Sequence, residues 1–497
     1  MSILSRGLLT AAISGVFFNA SANQPAGNLL EPQPPITLTN AMGQSARWTG
    51  VGRLSSTDGR QCIASLIDTR GGAQPLDGPA YIVTSGHCVD KRHGVILQDQ
   101  PISATVSFNY FVDTLDQRQP LPVKRVVWSS MQGIDLALLE LDSTLGQVMA
   151  QGIEPLALGA SPTPGSAVYV VGEPSSPDLG LRLSHCNEEN ADVVVEQPWV
   201  WRQVKRNSCL GMAAGASGSA VVEVTSGKLV SVVNSVAVNY QGALPCTPNN
   251  PCQPGDGAAT LDTLRNSAMP VQRLLGCFSA AKADLNGEGC SLLPAFQLEQ
   301  LTPPRTVAKI ASPSEGQAPL PTWGLTFKLD TPRYRYKATR DALECENPVG
   351  YSGTIPASEA SIDDAYGPEP GWHYLCVIGV ESPEHLPTRA LMANSLSIPT
   401  LLLPTGLPVP SLTLEHTTDS GIDVTWHLSP PDLILYRIKR GAPDKVDCDD
   451  PAGYRALAGR SQRIRAAQLP LKLCTKAFDL LRQSSAPRTD VLEARTR

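Results

Sequence analysis

Residues 46–276 alternate short apolar, β-branched runs with turns that contain glycine, proline and aspartate. Nine such runs stand at 63–67, 80–84, 105–111, 123–128, 136–141, 167–171, 193–195, 220–224 and 229–238. The chain also contains 41 glycines and 43 prolines, which suits many turns between short strands better than long helices. This spacing predicts an all-β barrel or sandwich. One helix is expected at 260–275, where apolar residues recur with helical spacing.

The first 22 residues have the features of an export signal. Arg6 precedes an apolar run over 7–18, and Ala20, Ser21 and Ala22 form a small-residue cleavage site. This order predicts a signal peptide over 1–22 and therefore a secreted protein. The alternative, a membrane anchor, is disfavoured because about a dozen apolar residues are too few to span a bilayer. No later segment is long and apolar enough to span one either. Residues 23–45, which contain several prolines, are expected to be a leader or propeptide.

The twelve cysteines are best explained as disulfides, since their number is even and they follow an export signal. Sequence does not determine which cysteines pair. Local pairing has the lowest loop-closure cost. It would join Cys62 with Cys88, Cys186 with Cys209, Cys246 with Cys252, Cys277 with Cys290, Cys345 with Cys376, and Cys448 with Cys474. No CxxC or HxxxH spacing supports zinc at His87 and Cys88, so neither a metal nor a cofactor is expected.

The C-terminal part of the chain contains an internal repeat offset by about a hundred residues. The matching segments are 325–329 with 424–428, 334–337 with 436–439, 345–351 with 448–454, and 375–376 with 473–474. Four anchors in the same order predict two tandem modules, 301–400 and 401–497, after a first domain over 46–300. Their strand-like runs and tyrosine positions resemble small fibronectin-type or immunoglobulin-like sandwiches.

Three segments carry the residues that a serine nucleophile needs: a base, a carboxylate that orients the base, and donors for an oxyanion. The apolar run before His87 ends in small residues, and Cys88 follows it. Asp135 directly precedes an apolar strand, where an acidic residue is otherwise a turn or strand cap. Asp113 and Asp116 are weaker alternatives because they lie in a polar loop.

The third segment, 209–222, has a Gly-x-Ser-Gly pattern before an apolar strand. Ser217 is the expected nucleophile, and Ser219 is its rival. Only Ser217 has a glycine two residues before it and another directly after it. Gly215 allows its own N–H and that of Ser217 to converge on one oxyanion.

The order His87, Asp135, Ser217 excludes hydrolases with a nucleophile elbow and the subtilisin order. Over 46–275 the chain resembles the chymotrypsin-like or trypsin-like serine proteases of the bacterial secreted type. The resemblance implies a double β-barrel, a catalytic triad of these three residues, and a Cys62–Cys88 bridge that fixes the histidine loop.

The chain departs from the digestive members of that family at two places. Ala216 stands where they carry an aspartate that binds a freed N-terminus, and no Ile-Val-Gly-Gly segment follows a basic site. We therefore expect a substrate pocket that needs no such ion pair. Gly211 is expected at its base, with Asn234, Ser235 and Val236 opposite unless they are only barrel packing. These residues favour a small or apolar substrate side chain, a preference that Asp256 would reverse by reaching into the pocket.

The function expected from these patterns is that of a secreted serine endopeptidase acting on proteins or peptides. A catalytically silent homologue that serves as an adhesin or binding protein is the alternative, and esterase activity on the same triad is a third. The tandem modules would bind a surface or a substrate, or act as spacers. The net charge of −6 and an aromatic content of only 5% argue against nucleic acid as a partner.

Overall fold

The structure, a computed structural model, describes residues 31–70, 76–172, 180–236, 246–254, 265–311, 320–385, 388–417, 421–427, 433–479 and 481–494. The predicted signal peptide and Asp256 lie outside the described residues. Regular structure in the described part is almost entirely β-strand, which confirms the all-β prediction. No helix among these residues is long and apolar enough to cross a bilayer.

The chain up to the end of the first barrel forms nine strands and one short helix. They are β1 (Ile36–Thr37), β2 (Val51–Ser56), β3 (Gln61–Asp68), β4 (Pro79–Thr84), β5 (Ile96–Gln100), β6 (Ala104–Ser107), β7 (Pro120–Ser130), β8 (Leu136–Thr144), α1 (Leu145–Met149) and β9 (Leu156–Ala157). Six of them pair antiparallel in the cyclic order β2-β3-β4-β8-β7-β6 and back to β2. The cycle makes a closed six-stranded barrel, so these strands have no free edge.

The second barrel repeats this arrangement. Its strands are β10 (Ala167–Gly172), β11 (Arg182–Glu196), β12 (Trp199–Asn207), β13 (Ala220–Glu223), β14 (Leu229–Val236) and β15 (Asn266–Pro270). They close in the order β10-β11-β12-β15-β14-β13, which is the same cyclic order by position as in the first barrel. The short strand β1, which lies in the predicted leader segment, pairs with β11 through Ile36 and Leu183.

Alternation along the strands produces three apolar cores. One side of the first-barrel strands forms a cluster that includes Ala64, Ile82 and Leu139, and a second-barrel cluster includes Val170 and Val230. The opposite faces of both barrels meet in a third, shared cluster. Because side chains alternate along a strand, each barrel can fill its interior and still present an apolar face to the other.

The expected helix over 260–275 was wrong in its described part. Residues 266–270 form β15, and only Val271–Leu274 form a turn of 3-10 helix. Ala268 and Met269 point into different cores, as strand alternation requires. Pairing of this segment with both β12 and β14 closes the barrel, and that long-range pairing overrides the local helical spacing.

The first C-terminal module is a two-sheet sandwich. It follows the small hairpin of β16 (Phe278–Ser279) and β17 (Lys282–Ala283), and comprises β18 (Leu298–Thr302), β19 (Val307–Lys309), β20 (Leu325–Leu329), β21 (Arg333–Thr339), β22 (Ile355–Pro356), β23 (Ser361–Ile362), β24 (Gly371–Val380), α2 (Arg389–Ala393) and β25 (Leu396–Leu403). The sheet β18-β20-β23 faces the sheet β19-β25-β24-β21-β22 across one core. Phe296, which precedes the boundary expected at 301, also packs in this core.

The second module has the same strand order. Its strands are β26 (Leu412–His416), β27 (Ile422–Trp426), β28 (Leu433–Gly441), β29 (Arg455–Ala456), β30 (Ser461–Ile464), β31 (Leu471–Asp479) and β32 (Arg488–Leu492). Sheet β26-β27-β30 corresponds to β18-β20-β23, and β29-β28-β31-β32 corresponds to β22-β21-β24-β25. The sequence repeat is therefore a repeat of tertiary structure in the described chain.

The repeated motif makes the same contacts in both modules. The hydroxyl of Tyr351 donates to the carbonyl of Cys345 at 2.8 Å, and that of Tyr454 donates to Cys448 at 2.7 Å. In both, a lysine ammonium lies over the tyrosine ring and donates to carbonyls of the intervening loop. The motif thus fixes the disulfide-bearing loop against the lysine of the neighbouring strand.

Candidate active site

His87 stands at the junction of a strand and a short turn. Strand β4 ends at Thr84, and a 3-10 turn over Gly86–Cys88 follows directly. Cys88 is disulfide-bonded to Cys62 at the start of β3, which ties the histidine turn to the barrel wall. All five other cysteine pairs of the local scheme are also disulfides in the structure.

Asp135 lies directly behind His87. Its carboxylate is buried, and Oδ1 accepts a hydrogen bond from the backbone N–H of His87 at 2.8 Å. Its Oδ2 is 2.7 Å from Nδ1 of the imidazole. Two contacts to one carboxylate fix both the backbone and the ring, and they favour the tautomer in which Nδ1 carries the proton.

The close approach requires a glycine at position 86. A Cβ on Gly86 would lie 2.2 Å from the carbonyl oxygen of Ser130 and 3.1 Å from Oδ1 of Asp135. Any side chain there would push apart the histidine turn and the aspartate loop. The small residue before His87 in the sequence pattern therefore has a direct steric reason.

The charges around His87 raise its pKa above the ordinary value. Burial by itself lowers the pKa, but the charge of Asp135 and its hydrogen bond to the ring outweigh that effect. The carboxylate of Glu196 raises the pKa further, while Lys91 lowers it. The imidazole is therefore a stronger base than free histidine, as a general base for a hydroxyl needs.

Ser217 lies on the loop between β12 and β13, and both barrels hold this loop. The carbonyl of Ser217 accepts from the N–H of Ile63 in β3 at 2.8 Å, and the N–H of Gly218 donates to Val233 in β14 at 2.7 Å. Ile63 directly follows Cys62, the disulfide partner of the residue next to His87. The serine backbone is thus attached to the same β3–β4 hairpin that carries the histidine.

Gly218 is constrained as tightly as Gly86. Its φ is +83°, and an added Cβ would lie 1.9 Å from the carbonyl oxygen of Ile63 and 2.4 Å from Oγ1 of Thr84. Gly215, two residues before Ser217, has a φ of +99°, which also favours glycine. The glycines of the sequence pattern therefore stand where the backbone requires them.

The structure separates the two candidate serines. Ser219 is fully buried, and a Cβ on Gly172 would lie 1.8 Å from its Oγ, so this hydroxyl packs against the backbone of β10. Ser217 is half-buried. Ser217 is therefore accessible to solvent, and Ser219 is not.

The rival carboxylates lie elsewhere in the fold. Asp113 is exposed and accepts hydrogen bonds from the backbone N–H groups of Asn40 and Ala41. Asp116 is also exposed, within a short 3-10 turn. Asp113 therefore anchors the segment before the first barrel.

The expected pocket residues are spread over two segments. Gly211 is exposed with a φ of +81°, and a Cβ there would lie 2.4 Å from the Pro35 ring. Asn234 is buried at a bulge in β14, and its amide has no hydrogen-bond partner among the described residues. Val236 ends β14 half-buried, and Ser235 precedes it. Their role in substrate binding remains a prediction.

Cys62, His87 and Cys88 also lie within the distance at which three side chains could share a metal ion. The two sulfur atoms are bonded to each other, however, and a disulfide sulfur is not the thiolate that zinc needs. Among the residues that the structure describes, this cluster is therefore a structural disulfide beside a histidine, and its side chains do not suit a metal centre.

Two residues that matter at the site were missed by sequence reasoning. Glu196 ends β11, is only 8% exposed, and its charge reaches His87. Arg202 in β12 is 2% exposed, and its guanidinium donates a hydrogen bond to Ser395 of the first C-terminal module. For both residues, the signal in the sequence was a charged side chain within an apolar, strand-like segment. The residues that contact these side chains, however, lie far away in the sequence.

Residues 66–232 match the family model of the trypsin-like peptidase domain. The matched range contains His87, Asp135 and Ser217. The two barrels together are called the double barrel below.

Solved structures of proteases show distant similarity. A thermostable serine protease from an extremophilic microorganism is 15% identical, covering 45% of this chain and 91% of that one, with a TM-score of 0.29. The protease Anisep from Arthrobacter nicotinovorans is 15% identical over 46% and 91% of the two chains, with a TM-score of 0.30. A Glu endopeptidase is 14% identical over 48% and 89%, also with a TM-score of 0.30. The comparison with curated proteins found no match.

Proposed function

We propose that this protein is a serine endopeptidase that hydrolyses peptide bonds through an acyl-enzyme, with His87, Asp135 and Ser217 as its catalytic triad. The observation that carries the proposal is the double contact of Asp135 with His87, at the backbone N–H and at Nδ1. A carboxylate that holds the ring in the Nδ1–H tautomer leaves Nε2 free to accept a proton. The attachment of the Ser217 backbone to β3 supports the serine as the proton donor.

The proposed reaction follows from these roles. The hydroxyl of Ser217 attacks the carbonyl carbon of the substrate while Nε2 of His87 takes its proton. The backbone N–H groups of Gly215 and Ser217 stabilise the oxyanion. His87 then gives its proton to the leaving amine, and the acyl group stays on Ser217. A water molecule, deprotonated by His87, releases the second product and restores the hydroxyl.

The activation mechanism proposed here involves no aspartate next to the nucleophile. Ala216 is buried directly before Ser217 and has no charge that could bind a free N-terminus. Residues 36–37 pair with β11, and Pro35 contacts the loop at Gly211. We infer that packing of this N-terminal segment, instead of an ion pair, supports the substrate pocket.

We further propose that the protein is exported and that its C-terminal modules are fibronectin-type or immunoglobulin-like. Six disulfides and the sequence of residues 1–22 support export. Two facing sheets in the same strand order support the module assignment. N-terminal sequencing of the exported protein tests the cleavage after Ala22.

Fluorophosphonate labelling tests the nucleophile. We expect the wild-type protein to be labelled and to hydrolyse a peptide library, and Ser217→Ala to lose both. Ser219→Ala is the matched control, since its hydroxyl is buried against Gly172, and it should still be labelled.

Each other outcome has a definite meaning. A folded wild-type protein that neither reacts nor hydrolyses peptides would favour the catalytically silent binding protein. Labelling together with turnover of esters but not of peptides would favour an esterase.

A further inference from the structure

The loop that follows the histidine turn, residues 89–95, packs on the first C-terminal module. The N–H of Leu298 in β18 donates to the carbonyl of Gly94 at 2.9 Å. The φ of Gly94 is +92°, and an added Cβ would lie 2.3 Å from the carbonyl oxygen of Leu298, so the two backbones approach closely. Next to Gly94, Nδ1 of the His93 ring lies 3.1 Å from Nε2 of Gln300, which is also in β18. The segment directly after the candidate base is therefore held by a strand of the module.

The loop that leads to Asp135 contacts the same module. Gln132, in this loop, is fully buried, and its Nε2 donates to the carbonyl of Phe296 at 3.3 Å. Phe296 packs in the core of the module, directly ahead of β18. The backbone N–H of Gln132 donates to Oγ of Ser130 at 2.9 Å, and the Ser130 carbonyl lies against Gly86 of the histidine turn. The aspartate loop is thus fixed between the histidine turn and the module.

The contact between the double barrel and this module is both apolar and polar. Trp372 of β24 packs in a buried cluster with Val195 of β11. Nη2 of Arg273, in the turn after β15, donates to Oδ1 of Asn394 at the end of α2 at 2.8 Å. Asn394 is fully buried, and its own amide donates to the carbonyl of Leu292 at 2.7 Å. Because domains held by a well-packed apolar interface do not move independently, we expect the module to keep one position on the double barrel.

We propose that the first C-terminal module positions the candidate catalytic pair, and that Gln132 is the positioning residue through which it holds the aspartate loop. This inference rests on the proposed peptidase function. Asp135 and His87 come from separate loops, yet the carboxylate contacts both the backbone N–H and Nδ1 of the histidine. Both loops are held by the segment 296–300, so this segment sets their separation. A displacement of about 1 Å in such an alignment is enough to slow catalysis strongly.

The alternative is that the module is a spacer or a binding module, and that Gln132 contributes only to stability. The Cys62–Cys88 bridge and the contact of Asp135 with the N–H of His87 would then position the pair without the module. A residue that only stabilises the fold alters the free energy of unfolding. A positioning residue also alters kcat and the basicity of His87. Because Gln132 is fully buried, a substrate cannot touch it, and KM should change little.

The experiment compares full-length Gln132→Met with the wild-type protein on a peptide substrate. Methionine has a similar length but cannot donate a hydrogen bond, so the aspartate loop loses its bond to the module. We expect kcat to fall about tenfold, with KM changed by less than about twofold. Burial lowers the pKa of His87 and the contact with Asp135 raises it, so a weaker contact should also move the acidic limb of the pH profile to lower pH. The charges of Glu196 and Lys91, which also act on His87, stay the same.

Gln197→Met is the matched control. Gln197 is a second buried glutamine of the double barrel, and its Nε2 donates to the carbonyl of Thr306 in the same module at 2.8 Å. It lies on the β11–β12 hairpin, outside the histidine and aspartate loops, so this variant should lose thermal stability but keep the wild-type kcat and acidic limb. Gln300→Met, which alters the module itself, is a second test if Gln132→Met folds poorly. It removes the hydrogen bond to His93 and should also lower kcat.

Gln132→Met with the kcat and the acidic limb of the wild-type protein would overturn the inference and leave the peptidase function standing. An equal fall of kcat in Gln132→Met and Gln197→Met would do the same, because the effect would then belong to any weakened contact with the module. So would a fall in kcat without a shift of the acidic limb, since positioning acts through His87. A wild-type protein that hydrolyses no peptide would instead overturn the proposed function, and the inference with it.

Discussion

The guanidinium of Arg202 in the second barrel donates to the hydroxyl of Ser395 at 2.8 Å and to its carbonyl at 3.1 Å. It also donates to Ser397 and lies 3.1 Å from a carboxylate oxygen of Glu346. These partners belong to the first C-terminal module. The module therefore provides hydrogen-bond partners for a cation that is buried in the double barrel.

The same guanidinium packs against the loop that carries Asp135. The φ of Gly133 is +67°, and a Cβ there would lie 2.3 Å from Nη2 of Arg202. The backbone N–H of Arg202 donates to the carbonyl of Gly133 at 2.8 Å. Nearby, the amide of Gln132 donates to the carbonyl of Phe296 at 3.3 Å. One contact region thus joins both barrels and the first module.

Arg202→Met should destabilise the protein by about 3 kcal/mol or more, because several oxygens of the module would lose their donor in a buried site. Urea unfolding at neutral pH measures the change. Gln203→Asn is the control. It removes a single exposed hydrogen bond to Glu346, suits the positive φ at 203, and should cost less than about 1 kcal/mol. Equal losses in the two variants would contradict the role given to Arg202.

Replacing both Cys62 and Cys88 by serine should lower stability by about 3 kcal/mol and also reduce kcat/KM. The bridge spans 26 residues and holds the turn that carries His87. The bridge between Cys448 and Cys474 also spans 26 residues but lies in the second module. Its removal should cost similar stability and leave peptide hydrolysis intact. Thermal unfolding and initial rates distinguish the two effects.

The pH profile of kcat/KM should lose activity on the acidic side at a pH above the ordinary pKa of histidine. His87 acts as a base only when it is neutral, and the surrounding carboxylates raise its pKa. Glu196→Gln removes a negative charge and should move this limb to lower pH. Lys91→Gln removes a positive charge and should move it to higher pH. Shifts in the same direction for both variants would contradict this electrostatic picture.

Glu188 should make the protein less stable as the pH rises from about 4.5 to about 7. Burial raises the pKa of its carboxyl from 4.5 to about 7, so the folded state binds a proton that the unfolded chain has released over that interval. The contribution of Glu188 to the free energy of unfolding is fully present below about pH 4.5. It is lost as the pH rises through about 7, a decrease of roughly 3 kcal/mol. Glu188→Gln cannot titrate. The difference in unfolding free energy between the two proteins should therefore shrink toward acid pH.

The sequence determined the parts whose signal is local. Short apolar runs predicted the strands, and the order of His87, Asp135 and Ser217 with their flanking glycines predicted the candidate site. The repeat of 345–351 at 448–454 predicted two equivalent modules, and neighbouring cysteines predicted the bridges. Each of these signals lies within a few residues, or in the order of segments, where local propensity and spacing are informative.

Only the tertiary structure decided what depends on segments that are distant in the chain. It placed Glu196 near His87, joined Arg202 to Ser395, and made residues 266–270 a barrel strand. A buried charge needs partners, and those partners come from loops more than a hundred residues away in the case of Arg202. Sequence shows that such a charge exists, but the folded arrangement of strands selects which groups neutralise it.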